Sequence, residues 1–510
     1  MQQLSIIQIR SLSGSLSDPV FFITDTDQEG IWSYNPTDTT SVDNTGTVLV
    51  TSDGKRIKRV VDGFVNVNWF GAKGDGTTDD TTIFQKAIDY CLAERIGVVY
   101  ARKASYRING QLTLPINVCI EGEGTKLLFS SSPDNQSAIL ITQPIGTIGE
   151  FKDVLRNISI FGIDSTEGNI TGDNYKRSDA LEIETPFASF KNVYIQGFDK
   201  TTIFKSNAYI SSFDRCTFRF NNYGVHFDYT SYVNLGENIY FNNCVIGNNN
   251  YGIYNNLGEL VFNGCSIDYN SYQIIDNITH LGGINSCRLL LQGCHIEGVI
   301  NGIINHGILV IANCAIWHEY QNNNDPYFIN EGGNASLVLT NSTFRMNNYP
   351  YLCIGTPPII WGASNQEDTA PMRFHRLRSL FPNCDFEDTS LDGYMIAYGA
   401  AQIVDTKSHS GSRSLRIEGE MYASGQLYVE IATLNNVELQ FDCYVNNYSA
   451  LNVSYVLIAF YDRYNIIIGS TTSVYIPVNS TDVFERVKSA WVKIPINSDY
   501  ARIDLKGDIG

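Results

Sequence analysis

The chain is 510 residues long, 43% hydrophobic, 12% aromatic and only 17% charged, against a usual charged share of about 25%. Its 35 basic and 53 acidic residues leave a net charge of −18, which excludes the basic footprint of a duplex nucleic-acid binder. No apolar run reaches the roughly 18 residues of a membrane span. The opening MQQLSIIQIRSLSGSLS lacks the basic n-region, h-region and cleavage site of a secretory signal. Abundant Gly (42), Tyr (30) and Phe (26) suit short strands joined by tight turns, and argue against coiled coil or disorder.

Residues 1–64 are polar and Thr/Asp-rich, with Trp32 and Tyr34, and read as a small β module. The basic run KRIKR (55–59) reads as a strand with solvated Lys and Arg. Residues 79–95 show helical periodicity, with apolar side chains at 83, 84, 87, 88, 91 and 92 and Gly97 just past the end. Asp75, Asp79 and Asp80 are assigned to turns and helix capping rather than to an acid cluster.

A repeat follows. Cys216, Cys244, Cys265, Cys294, Cys314 and Ser342 occupy equivalent places in FDRCTF, FNNCVI, FNGCSI, LQGCHI, IANCAI and LTNSTF. Their separations are 28, 21, 29, 20 and 28 residues. Eight residues after the first four anchors stand Gly224, Gly252, Gln273 and Gly302, so the variable length falls between that point and the next anchor. Insertion at one fixed point puts loops on one side of a solenoid. The residue before the anchor is often Asn or Gly, which predicts a sharp bend between two strands. Alternation turns the anchor column inward, with the apolar columns three residues before it and two after. The eleven Cys are expected to be reduced, and the five anchor Cys to be close-packed core rather than disulfide partners or metal ligands.

Ahead of the helix, VNVNWFGAKGDGTTDDT (65–81) resembles the lead-in motif of pectate-lyase-superfamily right-handed β-helix proteins, in particular bacteriophage tailspikes and capsule depolymerases. Near the C-terminus, NCDFEDTSLDGYMIAYGAAQIVDTKSHSGSRSLRIEG (383–419) resembles carbohydrate-binding jelly-roll modules through Phe386, Glu387, Asp392, Gly393, His409, Ser410, Gly411, Ser414, Leu415 and Arg416. The expected fold class is all-β: a right-handed parallel β-helix capped by an amphipathic helix, then a β-sandwich or jelly roll. The expected domains are an attachment module (1–64), the catalytic β-helix (65–382) and the jelly roll (383–510). The chain ends at IDLKGDIG, where a jelly-roll relative would add one more strand. The resemblance implies a virion-tail or extracellular location, a homotrimer, attachment through the N-terminus to a baseplate or adaptor protein, and a bacterial polysaccharide as partner.

The chemistry is sought in the outward columns. One residue after the anchors come Thr217, Val245, Ser266, His295, Ala315 and Thr343; three after come Arg219, Gly247, Asp268, Glu297, Trp317 and Arg345. Asp268, Glu297 and Trp317 fall in successive coils, which stack about 4.8 Å apart. Carboxylates on adjacent rungs repel, so such a pair points to function and separates an acid from a base or nucleophile. Retaining glycosidases place their carboxyls about 5–5.5 Å apart and inverting ones about 6.5–9.5 Å; sequence register leaves that choice open. Glu297 is the candidate acid, Asp268 the nucleophile or base, and His295 an orienting or proton-carrying neighbour. Trp317, Arg219, Arg345 and Glu319 are candidate substrate contacts, and His318 would join them if the strand bulged. Asp228, Glu237, Asp276 and Glu331 remain other acids. No cofactor or metal is required. The leading expectation is an endo-acting glycoside hydrolase of a bacterial surface polysaccharide. Its rivals are a polysaccharide lyase and a non-catalytic adhesin. Outward Tyr240, Val261, Leu290, Val310 and Val338 form an apolar stripe expected to pack between chains.

Overall fold

The computed structural model describes residues 1–347 apart from 17–18, 131–135, 144–149, 163–178, 229–235, 257, 272, 279–287, 299–301, 320–327 and 331–334, and beyond 347 chiefly the backbone of a series of strands. The chain forms two compact units, Met1–Leu289 and Leu290–Gly510.

In the first unit the N-terminal residues build a sheet ordered Gln2–Leu4, Val20–Ile23, Gly30–Asn35, Arg56–Arg59 and Val48–Val50. A short helix, Ile6–Ser11, starts from a capping box of Ser5 and Gln8; the sequence reading did not find it. Its Ile6 and Ile9 join Phe21, Ile23, Trp32, Leu49 and Ile57 in the module's core. KRIKR supplies the expected strand, but Arg59 is buried rather than solvated. Its guanidinium lies 4.7 Å from the Trp32 ring and 4.2 Å from the Trp69 ring. It donates to the carbonyls of Gly46, Glu29 and Gln28 at 2.8, 2.8 and 2.6 Å. Burial lowers its pKa to about 10, so it stays charged at neutral pH. Two ring faces and three carbonyls serve where a carboxylate would, and because Trp69 opens the solenoid the same side chain ties the module to the first coil.

The capping helix spans Thr81–Glu94 and buries Phe84, Ala87, Ile88 and Cys91. Its stop is Arg95 in the left-handed region, with φ 57°, two residues before the expected Gly97. The acids divide between the expected roles. Asp75 accepts from the Thr77 and Thr78 amides, and Asp79 from the Thr81 amide. Asp80 stands at the cap position, but its carboxylate turns back to the Lys73 and Gly74 amides at 2.8 and 3.0 Å.

The solenoid coils carry three parallel strands each. In the first unit Ser212–Asp214, Ile239–Asn242 and Glu259–Asn263 stack in register. So do Thr217–Arg219, Val245–Gly247 and Ser266–Asn270, and Tyr223–Asp228, Tyr251–Asn256 and Gln273–Ile278. In the second unit Ile308–Ala312 pairs with Ser336–Thr340, and His295–Gly298, Ala315–Glu319 and Thr343–Asn347 stack parallel. This is the expected parallel β-helix. The bend stands where predicted: φ is 53° at Arg215, 53° at Asn243, 61° at Gly264, 61° at Gly293, 55° at Asn313 and 47° at Asn341. The inward columns are buried throughout. Phe190, Phe213, Phe241 and Phe262 stack ring on ring at 4.5, 4.7 and 4.5 Å. The anchor Cys form no disulfide, and the thiols of Cys216, Cys244, Cys265 and Cys314 bond backbone carbonyls.

Three features were not foreseen. The coil pattern begins well before Cys216: Phe190, Val193 and Ile195 in FKNVYIQ take the places of Phe213, Cys216 and Phe218, with Asn192 at φ 52°. Asn221, Asn249 and Asn270 form a buried ladder five residues after the anchors, their side-chain amides donating to the carbonyls of Ile195, Phe218 and Ile246. Finally, Gln273 pairs with Tyr251 and Ile275 with Ile253. The third coil thus has one extra residue after Asn270, and the Gly252 position belongs to Ile274, not Gln273.

Beyond the coils the second unit turns antiparallel, in a sheet ordered Met395–Ile396, Gly425–Glu430, Tyr500–Ile509, Asn452–Tyr461 and Thr472–Ile476. The side chains that carry the jelly-roll resemblance lie outside the described residues. Among the described residues no helix is long and apolar enough to cross a membrane.

Two outcomes follow. Phe241→Ala, which opens the ring stack, lowers stability by about 3–5 kcal/mol, read from the denaturation midpoint. Asp179, on the strand Asp179–Glu184, lies beside Lys200 in register; burial raises its pKa to about 7. Its protonated form is favoured in the fold, so the stability it adds is full below its unfolded pKa of about 4 and is lost as pH rises through about 7. Thermal melts of Asp179→Asn, compared with the parent between these limits, show the parent alone losing stability on this account.

Candidate functional site

The outward columns are where alternation put them. In the first unit the rungs run Tyr194, Thr217, Val245 and Ser266 along one column, and Arg219, Gly247 and Asp268 along the next. Asp268 is half-buried, and the Ser266 hydroxyl donates to its Oδ2. Gly247 leaves its rung bare: a Cβ there would meet the Asp268 carbonyl oxygen at 2.9 Å. Arg219 lies half-buried beside that bare rung, with Nε enclosed and without an acceptor among the described residues.

In the second unit His295, Ala315 and Thr343 form one column, and Glu297, Trp317 and Arg345 the next. His295 Nε2 lies 3.3 Å from Glu297 Oε2. Both stand on the strand His295–Gly298, two residues apart and on the same side, so the pair follows from strand geometry alone. A protonated imidazole donates to the carboxylate; a neutral one does so only through the Nε2–H tautomer. Trp317 is 42% exposed. It meets the His295 ring edge-on at 5.1 Å and 80°, and the Arg345 guanidinium lies 5.7 Å from its ring. An acid–base pair thus stands beside an exposed indole that a cation and an imidazole hold in place.

The predicted carboxylates divide between the units, Asp268 in the first and Glu297 in the second. Trp317 and Arg345 are brought to His295 and Glu297 as expected. The register from Ala315 with Thr343 to Glu319 with Asn347 has no shift, so the bulge considered for His318 does not occur. The side chains of His318 and Glu319, and all of Glu331, lie outside the described residues. Asp228 and Asp276 belong to another sheet, where both raise the Tyr254 pKa, which burial chiefly pushes up to about 12. Asp228 is held there by the Asn256 amide at 2.7 Å. Glu237 is exposed on a connecting segment. One coil upstream, where the anchor is not Cys, the same columns are continued by half-buried Tyr194 and by Gln196, which is fully buried. An apolar anchor search not limited to Cys would have found them.

Comparison with known proteins fits this architecture. Residues 64–276 match the family model for rhamnogalacturonase A/epimerase, pectate lyase-like. Residues 5–62, which hold four of the five N-terminal strands, match that of the phage tail protein small four-stranded β-sheet domain. An uncharacterized 65.4 kDa protein in the cps region of Klebsiella pneumoniae is 22% identical over 446 residues, 76% of this chain and 72% of that protein. Among solved structures, the enzymatically active domain of bacteriophage CBA120 tailspike protein 4 is similar with a TM-score of 0.57 at 14% identity, over 100% of this chain and 76% of that one. Tailspike protein gp49 of Acinetobacter baumannii bacteriophage Fri1, a capsular polysaccharide depolymerase, gives 0.51 at 12% identity, over 99% and 97% of the two chains. At these identities the likeness is one of fold.

Trp317 is the natural reporter for this face. Titration with a bound glycan shifts its emission, and Trp317→Phe loses that response while the far-ultraviolet circular dichroism stays unchanged.

Proposed function

We infer that the chain is an endo-acting depolymerase of a bacterial surface polysaccharide, carried on a phage tail. One observation carries the reading: the column three residues past the anchors presents Asp268, Glu297 and Trp317 in successive coils of the repeat. Support comes from the tailspike fold and from the tail-domain match over 5–62. Gp49, which shares that fold, is a capsular polysaccharide depolymerase.

In the hydrolytic mechanism the sugar chain lies lengthwise over the sheet. Glu297 protonates the leaving glycosidic oxygen, and Asp268 acts as nucleophile or as base toward water; the roles are exchangeable. His295 orients Glu297 and exchanges its proton. Trp317 stacks a sugar ring, and Arg219 and Arg345 hold charged groups at the flanks. The half-buried outward residues Tyr240 and Val261, and Val310 and Val338, which pair rung to rung, support a homotrimer packed along this stripe. The N-terminal module would join the virion, and the C-terminal sheet would bind glycan or brace the trimer.

A second reading is elimination, favoured by Arg219, a cation without an acidic partner among the described residues. A lyase needs such a group to neutralise a uronate carboxylate, and His295 would then be its base.

Asp268→Asn and Glu297→Gln each lower depolymerisation by about 10²–10⁴-fold in a viscosity or reducing-end assay, with melting curves unchanged. Near-parental activity in both variants contradicts this site.

A further inference from the structure

The candidate face continues upstream of Asp268 into a second set of side chains. Tyr194 pairs in register with Thr217, and Ile195 with Phe218. The next step along both strands sets Gln196 beside Arg219, whose own next neighbour is Gly247. Tyr194 is half-buried, so part of its ring reaches solvent, and its hydroxyl donates to Gln196 Oε1 at 2.8 Å. One face of the ring stacks on Phe161 at 5.5 Å, and the next rung of the column carries the short side chain of Thr217.

The donors here are out of balance with the acceptors. Gln196 is fully buried, yet its Nε2 has no acceptor among the described residues. Arg219 Nε is likewise enclosed without one, and the guanidinium makes no ion pair among the described residues. Buried donors normally find a partner, and a half-buried cation with no anion is costly. Elsewhere in this unit several cations meet a carboxylate: Arg156 bonds Glu121, Lys191 lies 3.0 Å from Asp153, and Arg215 lies 3.0 Å from Asp214. Arg59, a buried cation without a carboxylate, has three carbonyls and two indoles. Among the described residues Arg219 Nε has no such substitute.

We propose that Tyr194, Thr217 and Arg219 form a subsite for a carboxylated sugar residue, two to three rungs, or about 10–14 Å, before Asp268. The ring of the sugar rests on Tyr194 above Thr217, and its carboxylate meets the Arg219 guanidinium. Rung spacing is close to the length of one sugar unit, so one polymer chain would occupy this subsite and the Asp268 rung together. The inference rests on the reading of this face as a polysaccharide groove, and it makes the substrate an acidic polysaccharide.

The test uses the full chain carrying Glu297→Gln, so that polymer is bound and not consumed. The probes are purified capsular polysaccharides of Klebsiella pneumoniae and Acinetobacter baumannii, each beside its carboxyl-reduced form. The polymers bound are expected to carry a carboxylate, and reduction weakens binding by about ten-fold or more. Adding Arg219→Gln erases the difference between the two forms, and Tyr194→Ala weakens both. Arg219→Lys keeps a smaller preference, since a point charge replaces the planar fork. Equal binding of both forms, or a preference that survives Arg219→Gln, overturns the proposal. Product release by the parent chain without carboxylate preference overturns this subsite alone. A clear preference without product supports the subsite and overturns cleavage alone.

Discussion

One backbone device sets every outward position on the solenoid: the left-handed residue just before the buried anchor. It appears at Asn157, Asn192, Arg215, Asn243, Gly264, Gly293, Asn313 and Asn341. Each turns the chain just before the anchor, so that the anchor faces in, the next residue out and the one after in again. Had the bend moved by one residue, inward and outward columns would have exchanged. Stacked Phe rings, the anchor thiols and the asparagine ladder then hold successive coils in step. Core and candidate site are thus two faces of one constraint.

In the first unit the outward columns offer Tyr194 and Arg219, then the bare rung of Gly247, then Asp268; in the second they offer His295, Glu297, Trp317 and Arg345. The mixture of aromatic surface, cations and a few acids suits a long, hydrated, charged polymer better than a compact metabolite.

Much of this was legible in the residues, for stated reasons. Six near-identical anchors fixed the coil, and alternation fixed which side chains face out. Neighbours two residues apart on one strand, such as His295 and Glu297, follow directly. The upstream coils were harder to see because Ile158 and Val193 replace Cys at the anchor; the core needs an apolar side chain there, and Cys is only one choice. The asparagine ladder was overlooked because Asn reads as turn chemistry until its amides are seen inside. Gln273 slipped by one because an insertion after Asn270 leaves the flanking pattern intact. Arg59 read as a solvated strand cation because Trp32 and Trp69, which lie outside its own strand, supply its surroundings.

The central claim is that this face cuts a polysaccharide by hydrolysis. The most direct test is to incubate the full chain with a panel of bacterial capsular polysaccharides and to weigh the released oligosaccharides by mass spectrometry. The account predicts products of whole repeat units heavier by one water than the elimination products of the same polymer. Unsaturated products without that water would contradict hydrolysis, and a panel with no product at all would contradict cleavage.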